Sequence, residues 1–355
     1  MAYDLELAKK LTIITPLCGR YEMTLRHLLY LEAVRCPFKV YLLDNSHGDE
    51  DRQIIEANKH RFPHVAYEYH RHQPSNGLLD FFDRMADTLA KITTPYVIRY
   101  DNDDFLDMDV VLQCVAFLEQ DSKHEYIACM GQIHPFTTYK NKCFGNVESI
   151  WHWPFNRQYE SDSLEERLRG SDDENEASVI RLQVSQTAYA EAVKQGYWLD
   201  CFVALYPSTL GKTKILPSAY NYKQIGHTIW QCVTEDNNRI TQILTTDEIA
   251  ETQREIGAVI EGIGLTRERA ETLKKQLILD WWGMQDPKTL HQFVEFLFYL
   301  DTSYFRKVLK LYNWFTVSWL RRLPATIRYL YFNNSKTLQV IKQVLKQGRE
   351  LTEKP

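Results

Sequence analysis

The chain has 355 residues, of which 44% are hydrophobic, 13% aromatic and 25% charged. That suffices for about two domains with a packed core and excludes a disordered, collagen-like or disulfide-stapled polypeptide. Net charge is -5, but residues 301–355 carry +8 and the first 300 carry -13, so the C-terminal stretch suits an anionic partner, membrane or nucleic acid.

Seven cysteines (Cys18, Cys36, Cys114, Cys129, Cys143, Cys201, Cys232) include no CxxC pair, which argues against a zinc site and for reduced, buried thiols. No run reaches the ~18 apolar residues of a membrane span, and Leu11 to Leu17 is too short for a signal core, so a cytoplasmic chain is expected.

In chain order, the first 120 residues alternate apolar, β-branched runs with helix-period segments, the pattern of a parallel sheet covered by helices. Strands are predicted at Leu11–Pro16, Phe38–Asp44, His64–His70 and Tyr96–Asp101. Leu78, Phe81, Phe82, Met85 and Leu89 form one helical stripe, and Val110, Val111, Cys114, Phe117 and Leu118 another. Residues 121–158 read as less regular strands and loops. Residues 160–176, with eight acidic side chains, read as a solvated segment, either a mobile insertion or, the favoured reading, a merely soluble loop. Beyond about residue 245 the pattern is helical, with one or two helices over Gln253–Leu279 and another opening at Asp286-Pro287. Two domains are therefore expected, 1–245 and 246–355.

The strongest chemical signal is Tyr96-Val-Ile-Arg-Tyr-Asp-Asn-Asp-Asp-Phe105, a strand ending in Asp101, Asp103 and Asp104. Ligands of open α/β sheets bind beyond the carboxyl ends of the strands. Crowded carboxylates there repel unless a hard cation such as Mg²⁺ or Mn²⁺ binds them together with phosphate oxygens. A plainer reading makes one or two of these acids, with Asp107, helix-capping and first-turn residues. An EF-hand loop fails because Phe105 and Leu106 occupy ligand and glycine positions. An aspartyl-phosphate hydrolase fails because Phe105 replaces the required Thr or Val.

The order Ile13-Ile14-Thr15-Pro16-Leu17-Cys18-Gly19-Arg20, Val40-Tyr41-Leu42-Leu43-Asp44-Asn45-Ser46, Asn76-Gly77 and Tyr100-Asp101-Asn102-Asp103-Asp104-Phe105 resembles nucleotide-sugar glycosyltransferases of the GT-A fold, most similar to family 2-like members. The resemblance covers about residues 10–245. It implies a Rossmann-like, mostly parallel sheet with helices on both faces, here followed by a helical C-terminal domain. It also implies a metal-dependent, inverting transfer of a sugar to a hydroxyl acceptor in glycan, polysaccharide or glycolipid synthesis. Thr15, Pro16 and Arg20 would line the nucleotide pocket, Asp44 and Asn45 would meet the base, and Arg84 would stand near the nucleotide. Asp101 and Asn102 would approach the donor, with Asp101, Asp103 and Asp104 on Mn²⁺ or Mg²⁺. The opening departs from the commoner Pro-Thr-Tyr-Asn-Arg, and Asn45 replaces a frequent Asp, which leaves the base open.

An inverting transfer needs a carboxylate to deprotonate the acceptor. Asp200, in Gly196-Tyr-Trp-Leu-Asp-Cys-Phe202, matches the family's downstream acid, with Glu235 and Asp236 as rivals; it reads equally well as the N-cap of the next helix. His227 offers a further metal or diphosphate contact, or a structural role, and Lys223 a phosphate contact. The aromatic and basic stretch Phe305–Phe332 fits either the face of an anionic membrane beside a lipid-linked acceptor or a helical bundle, the latter favoured; nucleic acid is disfavoured for want of a recognition motif. Two other functions stay open. A nucleotidyltransferase would need a Gly-rich basic loop after the first strand, and a catalytically silent scaffold would not need the intact acid cluster.

Overall fold

The computed structural model describes residues 3–74, 78–138, 143–150, 157–170, 177–224, 246–284 and 336–352. Its centre is an eight-stranded sheet in the order β3-β2-β1-β4-β9-β6-β10-β5. The strands are β1 (Leu11–Leu17), β2 (Lys39–Asp44), β3 (Tyr67–Arg71), β4 (Tyr96–Arg99), β5 (Phe105–Leu106), β6 (Tyr126–Ile133), β9 (Val179–Arg181) and β10 (Lys212–Tyr222). A separate hairpin pairs β7 (Phe136–Thr138) with β8 (Val147–Ile150). The first four strands are parallel neighbours, β9 runs against β4 and β6, β10 is parallel to β6, and β5 closes the edge antiparallel to β10. The sheet is thus mostly parallel.

Side chains alternate across it. Leu11 and Ile13 of β1, Val40 and Leu42 of β2 and Ile98 of β4 enter one core, whereas Ile14, Leu43 and Val97 enter the other. Every residue of β1 is buried, as expected of a strand covered on both faces. The first face carries α1 (Leu5–Ala8), α2 (Tyr21–Ala33), α3 (Glu50–Asn58), α5 (Met108–Gln120) and a C-terminal helix. The second carries α4 (Leu78–Leu89), α6 (Leu164–Gly170), α7 (Leu182–Gln195), α8 (Cys201–Leu210), α9 (Thr246–Glu261) and α10 (Arg267–Met284). In α4 the expected stripe puts Phe82, Met85 and Leu89 in the core. The helical stretch after residue 245 is two helices, α9 and α10, packed on each other, with α9 also against α8.

One expectation changes. The first part of the acidic segment is docked: Leu168 is fully buried, and Glu160 accepts from Lys214 at 2.7 Å and from the Ile215 N–H at 3.2 Å. Leu168 and the half-buried Leu164 of α6, with ion pairs reaching distant elements, hold it, whereas residues 171–176 lie outside the described residues. The C-terminal helix α11 (Lys336–Thr352) buries Leu338, Ile341, Val344 and Leu345 against the core that contains α2, and Thr337 donates to Asp107. The remaining aromatic and basic stretch, Phe305–Phe332, and Asp286-Pro287 lie outside the described residues. No helix among the described residues is long and apolar enough to cross a membrane. The described cysteines are free thiols, all buried except the half-buried Cys18.

Removing the Leu168 side chain is expected to cost about 2–5 kcal/mol, the usual range for buried Leu→Ala. Chemical denaturation of Leu168→Ala measures it; stability equal to wild type would mean that α6 is not docked.

Candidate active site

The carboxyl ends of β1, β2, β4 and β10 meet at one edge of the sheet. After β1 the chain turns at Gly19 with φ of 68°, a left-handed conformation that glycine adopts without strain. The Gly19 N–H donates to Ser46 Oγ at 2.6 Å and to Asp51 Oδ2 at 2.8 Å, which tucks the turn against the loop after β2. Arg20 is thereby aimed along the edge. It donates from Nη1 to Asp103 Oδ2 at 2.6 Å and from Nη2 to Asn102 Oδ1 at 2.8 Å. Asn102 in turn donates to Thr24 Oγ1 at 3.1 Å. Arg20, Asn102 and Asp103, read separately from the sequence, form one cluster.

Asp101 belongs to the same cluster through Arg99. Arg99 Nε donates to Asp101 Oδ1 at 3.3 Å, its Nη1 lies 4.0 Å from Asp200 Oδ1, and its guanidinium sits 5.1 Å from the centre of the Phe81 ring. One cation thus stands between two acids that are 99 residues apart in the chain. Burial pushes the Asp101 carboxyl up, but Arg99, Arg20 and Lys223 outweigh it and hold the group below its ordinary value. Asp101 is therefore an anion at neutral pH. The side chains of Asp101 and Asp200 remain 34% and 32% exposed, so both are open to a ligand.

The other expected residues have different surroundings. Thr15 and Pro16 are buried within β1, and Thr15 Oγ1 lies 3.1 Å from Nε2 of His27, whose pKa burial lowers to about 3. Asp44 is fully enclosed: its carboxylate accepts from the Ser46 N–H at 2.9 Å, from Tyr69 and from Arg71. Burial raises its pKa, and these hydrogen bonds more than reverse the shift. Arg71, rather than Asp44, reaches the surface there. With its amide oriented so that nitrogen donates to Leu17 O, the Asn45 oxygen accepts from Arg84 Nη1 at 3.1 Å. Arg84 also donates to Pro74 O at 3.0 Å.

Asp104, expected on the metal, has a carboxylate that accepts from the Gln224 N–H at 3.1 Å and from Asn221 Nδ2 at 3.2 Å, which ties the end of β10 to the acidic loop. Asp107, weighed with these acids as a capping residue, caps α5 by accepting from the Asp109 and Val110 N–H groups. His227, Glu235, Asp236 and Asn76-Gly77 lie outside the described residues. No three His, Cys, Asp or Glu side chains among the described residues converge as a metal site. A divalent ion that takes phosphate oxygens and waters for the rest of its shell needs only one or two carboxylates, and Asp101 and Asp103 fit that donor set.

Asp200 occupies the N-cap position of α8 but makes no side-chain cap hydrogen bond. The α7–α8 turn is instead gripped by α9. Glu255 Oε1 accepts from the Trp198 N–H at 3.1 Å and the Leu199 N–H at 2.7 Å, and its Oε2 accepts from the Phe202 N–H at 2.9 Å. Arg254 donates to Gln195 O at 3.0 Å and Gly196 O at 2.8 Å while bonding Glu251. Sequence reading missed Arg99, Arg71 and this grip. An arginine inside an apolar strand two residues before Asp101 was a usable signal, since a buried cation needs a partner. Glu255 gave none, because its partners are backbone N–H groups.

No protein-family model and no curated protein matches the chain. Among solved structures it is similar to S. aureus TarS 1–349 in complex with UDP-GlcNAc, at 12% identity and TM-score 0.51, over 82% of this chain and 80% of that one. TarS 1–349 without ligand gives 13% and 0.44, over 83% and 93%. The mannosyltransferase PcManGT from Pyrobaculum calidifontis, in complex with GDP-Man and Mn²⁺, gives 11% and 0.43, over 99% and 88%. At these identities the likeness is one of fold. The first comparison shows that the chain shares its α/β fold with TarS 1–349.

Burial, opposed by the backbone hydrogen bonds and reinforced by Glu251, pushes the Glu255 carboxyl from 4.5 up to about 9. Between those values the folded state holds a proton that the unfolded chain has lost, so stability falls as pH rises through the window. Denaturant unfolding between about pH 5 and pH 8 is expected to show that fall in the wild type and a flatter profile in Glu255→Gln; equal slopes would mean that Glu255 ionises normally.

Proposed function

We propose that the chain is a metal-dependent glycosyltransferase that moves a sugar from a nucleotide-sugar donor to a hydroxyl acceptor on a glycan or lipid-linked molecule. The observation that carries the reading is the meeting of Arg20, Asp101, Asn102 and Asp103 at the carboxyl edge of the sheet, with Asp200 joined to them through Arg99. The fold shared with TarS, which was solved with UDP-GlcNAc, supports it. Mn²⁺ or Mg²⁺ held by Asp101 and Asp103 would neutralise charge on the leaving diphosphate.

The chain's own residues do the rest. Arg20 turns from Asp103 toward the diphosphate, and Lys223, whose charge acts on Asp101, adds a second cation on that side. Asn45 and Arg84 border the nucleotide end of the cleft. Asp200 takes the proton of the acceptor hydroxyl as the new bond forms, with inversion at the sugar carbon. Arg99 stands as a cation between Asp200 and Asp101, two acids that would otherwise repel, and helps hold the Asp101 carboxyl below its ordinary value.

Thermal unfolding against UDP, GDP, CDP, ADP and dTDP, each with and without Mn²⁺, tests the donor site. One nucleotide at ~100 times its dissociation constant is expected to add about 2.7 kcal/mol, and only with metal. Asp103→Asn should abolish that gain in a variant that still folds, with its ligand-free melting temperature lowered by the loss of the Arg20 ion pair; a retained gain refutes the metal assignment. Asp200→Asn should keep the nucleotide effect and lose about 10²–10⁴-fold in transfer rate. If no nucleotide stabilises the protein, a silent scaffold becomes the better reading.

A further inference from the structure

The first N–H groups of a helix have no partner within it and are normally capped by the N-cap side chain, most often Asp, Asn, Ser or Thr. Asp200 is of that type and stands at that position, yet the cap bond to Phe202, the second residue of α8, comes from Glu255 of α9. Glu255 is fully buried and Glu251 nearly so. Glu255 also accepts from the N–H groups of Trp198 and Leu199, and Glu251 accepts from that of Trp198 at 3.2 Å. Arg254, whose guanidinium lies 4.5 Å from the centre of the Tyr197 ring, holds the carbonyls of Gln195 and Gly196. The donors and acceptors of this turn that flank Asp200 are thus met from one helix, and the Asp200 carboxylate is left near Arg99.

We propose that Glu255 is a positioning residue for the transfer reaction: it caps α8 from outside and so releases the Asp200 carboxylate from capping to face the site. The inference rests on the reading of Asp200 as the acceptor base. Without Glu255, the Phe202 N–H loses its acceptor, and Asp200, a capping residue type at the N-cap position, can supply one; a carboxylate drawn onto the helix terminus has an N–H competing for its lone pair.

The test compares wild type, Glu255→Ala, Glu255→Gln and Asp200→Asn by crystal structure and by UDP release from UDP-GlcNAc, or GDP release from GDP-mannose if guanine is the base that stabilises. In Glu255→Ala, Asp200 is expected to accept from the Phe202 N–H, and kcat to fall by at least about tenfold, inside the range a positioned base supplies, with donor KM within about twofold. Glu255→Gln keeps one acceptor oxygen and should recover part of kcat; if the alanine variant does not fold, the glutamine variant carries the comparison. Asp200 remaining beside Arg99 in the folded variant, or an unchanged kcat beside an inactive Asp200→Asn, overturns the proposal. Wild-type kcat in Asp200→Asn instead overturns the reading of Asp200 as base and leaves the crystallographic result to decide the capping. That result also decides alone if neither donor turns over.

Discussion

Arg99 is the side chain on which the rest of the candidate site depends. It is the last residue of β4, mostly buried, and it lies within ion-pairing reach of Asp101 on its own strand end and of Asp200 at the start of α8. Two carboxylates brought this close without a cation would raise each other's pKa and lose the negative charge that metal binding and proton abstraction require. A buried cation removes that conflict before any ligand arrives. Arg20 pairs with Asp103 from just beyond the end of β1, so each acid of the Asp101-Asn102-Asp103 stretch meets an arginine from a parallel strand end. The parallel arrangement matters here, because it sends the ends of β1 and β4 to the same edge.

Both arginines are largely enclosed. Arg99 lies against Phe81 with acids on both sides. Arg20 follows a glycine turn and is held by Asp103 and Asn102 with its side chain only 8% exposed, so a diphosphate would have to compete with both for its guanidinium. The strand order brings these two cations to the acidic loop from different elements.

How legible this was in the sequence follows from which contacts are local. The strands β1, β2, β3 and β4 announce themselves because strands buried on both faces read as short apolar runs, although β3 begins three residues later than His64 and β4 ends at Arg99 rather than Asp101. The short β5 and β9, of two and three residues, exist only through partners far away in the chain. β10 carries Pro217 and two interruptions of register near it, which breaks the alternation a strand would show. The acidic residues 160–170 looked unattached because Leu168 is the single fully buried apolar side chain that docks them. Within the site, the Asp101-Asn102-Asp103 stretch and Arg20 were visible as motifs. The enclosure of Asp44 by Tyr69 and Arg71, and the hydrogen bonds of Asp104 to Asn221 and Gln224, depend on tertiary pairing and leave no local mark.

Asp200 shows most directly why residue type and position do not settle a role. An aspartate just before an apolar helix is a sound N-cap by local rules, and only the occupant of the Phe202 N–H decides whether it acts as one. That occupant comes from a helix more than fifty residues downstream, so the orientation of the acid is a consequence of tertiary docking and is absent from the local sequence. The arrangement also carries a cost: a carboxyl group is buried to cap a helix that a surface aspartate could have capped, with its ionisation suppressed as a result. A chain needing only a stable α8 would have no reason to bear that cost, whereas one that must keep the Asp200 carboxylate turned toward Arg99 would.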